Sequence, residues 1–387
     1  MDSYDAIVVG VGGIGSAALG CLARRGLKVL GIDRFDPPHD RGSSHGHTRV
    51  IREAYFEHSS YVPLAQRSAQ MWRALEAETG SQLYDQVGIL EVGPPDGVVI
   101  PGVLQSVHDH QLPVERLTNR ELRQRFPQFS VPSDHVGIVE ANAGFLYVER
   151  CVETYLDVAR RHGVDIMSHC EVIQWQAERD AVRIQTKSTE YVAARLLITA
   201  GPWAQSLLSS LNIPLSVVRK QLYWLSTSDI RLSRDEGCPV FFFEARPGEY
   251  YYGFPQLDDR GVKIARHDGG THIVGDPVAA IGGVDEEDRA SVSSFASAVI
   301  PGLNLPETSR ATCFYTLSPD EHFIVDRVPD QSQVAFVAGL SGHGFKFAPV
   351  LGEALADLAI DGDTDIDIDF LRLGRFRTPP APGEVQR

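Results

Sequence analysis

Short unbroken apolar runs alternate along this chain with longer stretches in which apolar side chains return every three or four positions, a two-period pattern that predicts an α/β protein. Ala6, Ile7, Val8 and Val9 form a continuous β-favouring run, as expected of a strand buried on both faces of a parallel sheet. A glycine-rich turn follows. Ile14, Ala17, Ala18, Cys21 and Leu22 then recur at helical spacing, Gly26 stops that helix, and Lys28 to Ile32 supply a second strand. Residues 5–33 thus read as strand, helix, strand.

Further on, Leu64, Ser68, Met71, Trp72 and Leu75 share one helical face, and Cys151, Tyr155, Leu156 and Ala159 mark another helix ending near Gly163. Between them Gly88 to Val92 reads as a strand, and Val98 to Pro132 mixes short apolar runs with Pro, Asp and Arg, as an inserted region does. Boundaries fall near residues 84 and 142. Strand-like pieces follow around Cys170 to Ile173, Val182 to Ile184 and Leu196 to Ala200. The last runs into Ala200, Gly201 and Pro202, either a second backbone approach to a ligand or a simple strand end. FFFEARPGEYYYGF, Phe241 to Phe254, predicts an aromatic hairpin in an antiparallel sheet. Val334 to Ile360 passes from a buried strand through a Gly-rich turn into a helix on Val350, Leu351, Ala354, Leu355 and Leu358, so the chain returns to its first domain. The Pro-rich last dozen residues read as a loose tail.

With 387 residues, 43% hydrophobic and 22% charged, two globular domains are expected. No apolar stretch approaches a membrane span, and the opening MDSYD leaves no room for a secretory leader. A net charge of -15 without any basic run argues against nucleic acid. Cys21, Cys151, Cys170, Cys238 and Cys313 are odd in number and lack CxxC pairing, which fits a cytoplasmic protein rather than a disulfide framework.

Chemistry concentrates in two early segments. Gly10, Gly12 and Gly15 of GVGGIG stand between strand and helix: the first permits the turn, the second lets backbone N–H groups reach a pyrophosphate, and the third allows close packing. The helix N-terminus favours the anion, and Asp33 ends the second strand where a carboxylate accepts from ribose hydroxyls. This motif serves FAD and NAD alike. RGSSHGHTRVIR then gathers Arg41, Ser43, Ser44, His45, His47, Arg49 and Arg52 into a cationic loop suited to a diphosphate or a carboxylate. His45 and His47 lack a third ligand at suitable spacing, so no metal site is expected.

Taken with YVPLAQRS, YYGFP, CFYTLSPDEHF and SGHGFKF, these segments make the chain resemble, over nearly its whole length, the sarcosine oxidase and N-methyltryptophan oxidase branch of the D-amino-acid oxidase class of flavoenzymes. The resemblance implies an FAD-binding Rossmann-like domain (residues 1–83, 142–215 and 309–387) and an antiparallel-sheet substrate domain (84–141 and 216–308). It implies FAD joined covalently to Cys313, with contacts from Gly13, Ile14, Arg34, Ser43, Ser44, Thr48, Arg49, Val172, Ala200, Gly201, Trp203, Gly342, Gly344, Phe345 and Lys346 as well as the glycines and Asp33 already named. Lys263 matches a lysine that promotes reaction with oxygen, and Arg49 and His45 match residues beside the flavin ring. Arg52 and Lys346 match a carboxylate clamp, while His267, Tyr315, Tyr252 and Phe243 match the substrate pocket. A methionine stands in the family's sarcosine oxidases where Phe243 is aligned, which bears on the choice of substrate. The implied reaction oxidises an N-methyl or cyclic secondary amino acid to an imine and reduces oxygen to hydrogen peroxide, in a monomer. A nicotinamide dehydrogenase, a flavin dehydrogenase with another acceptor and a non-catalytic FAD protein are the competing readings.

Overall fold

The computed structural model describes residues 3–376; the predicted tail lies almost wholly outside them. The opening run becomes the strand Ser3–Val9, followed by the helix Gly13–Arg24 and the strand Val29–Ile32. Ser3–Val9 pairs in parallel with Val29–Ile32 on one side and with Glu190–Ile198 on the other. Asp165–Met167 and Gln331–Ala338 extend this parallel core at its two flanks, within an eight-stranded sheet. Glycine-rich and apolar helices cover one face. Gly13–Arg24 packs against Val148–Arg161 and Ala348–Ile360, where a Cβ on Gly352 would stand 2.8 Å from Ala17 Cβ.

The second sheet has nine strands, mostly antiparallel, and includes the aromatic hairpin Val240–Arg246 and Glu249–Phe254. Ile89–Gly93 joins it in parallel beside Val240–Arg246 and pairs with Val136–Glu140, so strands from two separate stretches of chain build one sheet. One boundary differs from the sequence reading. Ser309–Leu317, which a cut at residue 309 gives to the nucleotide domain, is hydrogen-bonded along its length to Ser216–Leu225 and belongs to the second sheet. Apolar alternation does not reveal which of two sheets a long strand joins; only the pairing does. Thr48–Ile51, Gly144–Tyr147 and Tyr84–Asp85 form a separate small antiparallel sheet.

The core divides accordingly. The largest cluster joins one face of the first sheet (Ala6, Val8, Leu197, Val337), the helices packed on it, and Leu222, Trp224, Phe242, Tyr252, Phe254 and Cys313 of the second sheet. Another covers that sheet's outer face beneath the helix Glu286–Val299, and contains Phe241, Phe243, Tyr251 and Phe295.

Candidate active site

The chain leaves its first strand at Gly10, whose φ of +89° favours glycine and whose Cβ, if present, would meet Thr199 O at 2.6 Å. Gly15 does not face the cleft; it lies so close to the Gly10 carbonyl that no side chain fits. Gly12 and Gly13 open the helix, with Ser44 Oγ accepting from Gly13 N at 3.0 Å and the Phe345 ring 2.8 Å from where a Gly13 Cβ would stand. The first helical turn carries no acidic side chain, which leaves its N–H groups and partial positive charge facing the cleft. Asp33 is buried and already accepts from Val11 N (2.7 Å) and Phe35 N (2.8 Å), so it orders the turn as well as edging the cleft.

The cleft opens between strand ends of both sheets. One end is formed by Asp33, Arg34, His39, Glu171, Val172 and Trp203, the middle by Gly10, Gly12, Gly13, Ile14, Ser43, Ser44, Ala200 and Gly201, and the other end by Arg49, Cys313, Tyr315, Gly342, Gly344 and Phe345. Its glycine cradle, its helix N-terminus and its lining from Asp33 to Gly342 fit a dinucleotide. Thr48 and Lys346, expected here, lie elsewhere: Thr48 Oγ1 sits 3.1 Å from Lys263 Nζ, and Lys346 lines the adjoining cavity. His39, Glu171, Thr199 and Phe314 line the cleft without having been singled out, because loops and strand ends carry no pattern that points inward.

A second, smaller cavity shares Arg49, Tyr315, Gly342 and Phe345 with the cleft. Arg52, Lys346, His267, Tyr252 and Tyr315 meet there, together with Glu57, Phe242 and His343, which sequence reasoning did not single out. Phe243 does not. It points to the outer face, against Phe129 (5.6 Å) and Phe295 (5.6 Å), while Phe242 faces the cavity beside His267 at 5.7 Å between ring centres. Three consecutive phenylalanines show no alternation, so their sequence does not say which of them points inward.

Arg52 is held by Glu57 (2.7 Å) and by the fully buried Glu91 (2.6 Å), whose carboxyl burial pushes up to about 8. Lys346 Nζ donates to Tyr55 Oη (3.1 Å) and the His343 carbonyl (2.9 Å); burial, and then the Arg52 charge, push its pKa down to about 7. His267 lies 3.3 Å from Tyr315 Oη, and burial lowers it to about 3, so it is neutral at ordinary pH. Tyr252 bonds to Tyr315. The cavity therefore combines basic nitrogens with aromatic rings, Arg52 lying over Phe242 at 5.5 Å.

Where cleft and cavity meet, Arg49 Nη2 reaches Ser43 O (3.0 Å) and Cys313 Sγ (3.1 Å), and Cys313 is buried. Lys263 stands one layer behind, donating to Gly46 O (2.7 Å), Thr48 O (2.7 Å) and Thr48 Oγ1 (3.1 Å). Burial and Arg49 push its pKa well down, but three oxygen acceptors match the three hydrogens of an ammonium, and the charged form accounts for that geometry. His45 is buried with Nε2 unpartnered among the described residues; burial, then Arg49, lowers it to about 4.

A glycine-cradled dinucleotide cleft over a parallel sheet, capped by an antiparallel sheet with a second cavity between, defines a flavin-dependent oxidoreductase architecture. The chain belongs to the FAD dependent oxidoreductase family, whose model matches residues 5–358. Within that family it is 38% identical over 375 residues to the monomeric sarcosine oxidase of Bacillus sp. (strain B-0618), covering 96% of each chain. It is likewise 38% identical over 374 residues to the N-methyl-L-tryptophan oxidase of Yersinia pestis (strain Pestoides F), covering 97% of this chain and all of that one. Among solved structures it shares its fold with NikD, an amino acid oxidase essential for nikkomycin biosynthesis (TM-score 0.84, 23% identity, 96% and 98% of the two chains). The glycine oxidase of Geobacillus kaustophilus is similar too (TM-score 0.80, 18% identity, 97% and 99%). Among the described residues no group of acidic, His and Cys side chains is arranged to hold a metal, and no helix is long and apolar enough to cross a membrane.

Proposed function

We propose that this FAD-dependent enzyme oxidises a small secondary amino acid, N-methyl or cyclic, to its imine and passes the electrons to oxygen. The observation that carries the reading is the cavity beside the cofactor cleft, in which the basic side chains Arg52 and Lys346 meet the rings of Tyr252, Tyr315 and Phe242. Two relatives that oxidise N-methyl amino acids by name support the substrate class. Bound FAD supplies the two-electron acceptor.

The chain's own residues do the rest. A substrate carboxylate takes the Lys346 ammonium and the Arg52 fork, the latter only as Glu57 yields its place. Holding the carboxylate fixes the reacting C–H toward the cleft, and such fixation is worth several kcal/mol of barrier, up to about 7–11. The nearby cations and the low polarity of the rings favour the free amine, the form able to release a hydride. His267, neutral, and Tyr315 can accept and donate hydrogen bonds without competing for that proton. The substrate C–N unit gives up two electrons and two protons in all; oxygen takes both to become hydrogen peroxide, and water then hydrolyses the imine. Lys263 and Arg49 place positive charge where oxygen gains its first electron.

Covalent attachment at Cys313 belongs to the same reading, supported by its position in the cleft wall beside Arg49. So do a monomeric state, supported by a relative named as monomeric, and a cytoplasmic location, supported by five free cysteines. The test is an absorption spectrum before and after acid precipitation, then anaerobic addition of sarcosine, N-methyl-L-tryptophan and L-pipecolate, then air. Yellow colour that stays with the precipitate, bleaches with an amine and returns in air is expected. Bleaching that air reverses only slowly identifies a dehydrogenase with another acceptor, and colour in the supernatant removes the Cys313 bond.

A further inference from the structure

Lys220 is a buried lysine that the proposed reaction does not use. It lies in the strand Ser216–Leu225 directly opposite Cys313, so its side chain leaves the sheet on the face turned toward the cofactor. Only 2% of it is exposed, and its Nζ donates to the carbonyls of Asp268 (2.5 Å) and Gly269 (3.2 Å) while standing 5.7 Å from the centre of the Tyr315 ring. Those two carbonyls belong to the residues immediately after His267.

That loop has little stiffness of its own. Gly269 and Gly270 both have positive φ, at +64° and +109°, and glycine leaves such a segment free to move. It is pinned from two sides. On one, His267 N donates to Tyr250 O (2.7 Å) and the Asp268 carboxylate accepts from Tyr250 N (2.6 Å) and Arg266 Nε (2.7 Å). On the other there is Lys220, whose Cδ lies 2.9 Å from where a Gly270 Cβ would stand. The charges around it are Asp288, Asp268 and Asp285, with Arg266 opposing, and burial brings its pKa down to about 8.

A buried ammonium is costly, and removing it alone would leave the two carbonyls it serves without their donor. What it gives here is geometry. We propose that Lys220 is a positioning residue of the substrate cavity, which holds the 267–270 loop against the Tyr315 ring and so fixes the spacing of His267 and Tyr315. The proposal rests on reading that cavity as the substrate site.

The test uses the full-length holoenzyme with Lys220→Met, which keeps the stem and removes the ammonium, and Lys220→Gln, which keeps a shorter donor. Measured for each are flavin content, thermal midpoint, kcat and KM with whichever of sarcosine, N-methyl-L-tryptophan or L-pipecolate the parent oxidises fastest, and hydrogen exchange in the peptide spanning 266–272. For Lys220→Met we expect full flavin, KM raised about tenfold with kcat far less affected, and faster exchange in that peptide. Lys220→Gln falls between. A Met variant with a lowered midpoint but parental KM and exchange overturns the proposal and leaves Lys220 a structural residue. Should that variant not fold, the same pair of readouts on Lys220→Gln decides. If no amine reduces the parent's flavin, the functional reading fails, and exchange in the 266–272 peptide alone then judges the positioning role.

Discussion

Phe242 and Phe243 are adjacent in the chain and lie on opposite faces of one sheet, so the same truncation at each measures a different property. Phe243→Ala empties a packed cluster and is expected to cost about 3–5 kcal/mol of stability with KM near the parent value. Phe242→Ala enlarges the cavity instead, and selectivity among secondary amines shifts by roughly 10–200-fold with flavin content unchanged. Denaturation curves and steady-state kinetics on both variants check this; the reverse pattern would place the wrong ring in the cavity. Lys346 adds a pH dependence. With its free-enzyme pKa pushed down to about 7, the amine is charged below that pH and neutral above it. Affinity for an aliphatic carboxylate that lacks an amine should therefore be greatest below about pH 7 and fall as pH rises through it, by at most about tenfold per unit. Titrating flavin absorbance against acetate or propionate at several pH values tests the sign, and Lys346→Met should bind more weakly with a flatter profile. That Arg52 and Lys346 share one cavity agrees with the family resemblance, but the partners of Arg52 were not legible from sequence. Nothing in the spacing of Arg52, Glu57 and Glu91 tells that both carboxylates close on one guanidinium, because Glu91 arrives on a strand paired beside Phe242.

At the scale of elements, the strand, turn and helix at residues 3–24 are the part most constrained by local chemistry. Gly10 and Gly26 both have positive φ, at +89° and +75°, yet they differ in surroundings: the first abuts Thr199 O, while nothing lies within 4 Å of the position a Gly26 Cβ would take. Gly26→Ala should cost only the backbone strain, about 1 kcal/mol, and keep its flavin. Gly10→Ala carries that strain plus a collision with the neighbouring strand, and is expected to lose FAD. Flavin content of the two purified variants decides; a flavin-replete Gly10→Ala protein would mean the turn does not shape the cleft. This element was readable because period, turn and acid agree within a short stretch. The strand Ser309–Leu317 was not, since its neighbour is nearly a hundred residues away and its composition suits either sheet.

That strand matters most for the whole molecule. It is bonded to the second sheet, yet Cys313, Phe314, Tyr315 and Thr316 form one wall of a cleft whose opposite wall is the glycine turn of the first. A dinucleotide filling the cleft touches both layers, and a ligand that binds only the assembled pair stabilises both together. Cys313→Ser separates this linkage from covalent attachment. The variant should release its flavin in acid, and its apoprotein should unfold at a lower temperature than the holoprotein. Added FAD should then raise the midpoint, each tenfold excess over Kd contributing about 1.4 kcal/mol. If the transition of the apoprotein ignores added FAD, the two layers stand without the cofactor and the cleft is only a recess between them. If it moves, the same ligand that serves the chemistry also holds the sheets in register, and the gap between Arg49 and the cations of the neighbouring cavity is then set by the cofactor as much as by the chain.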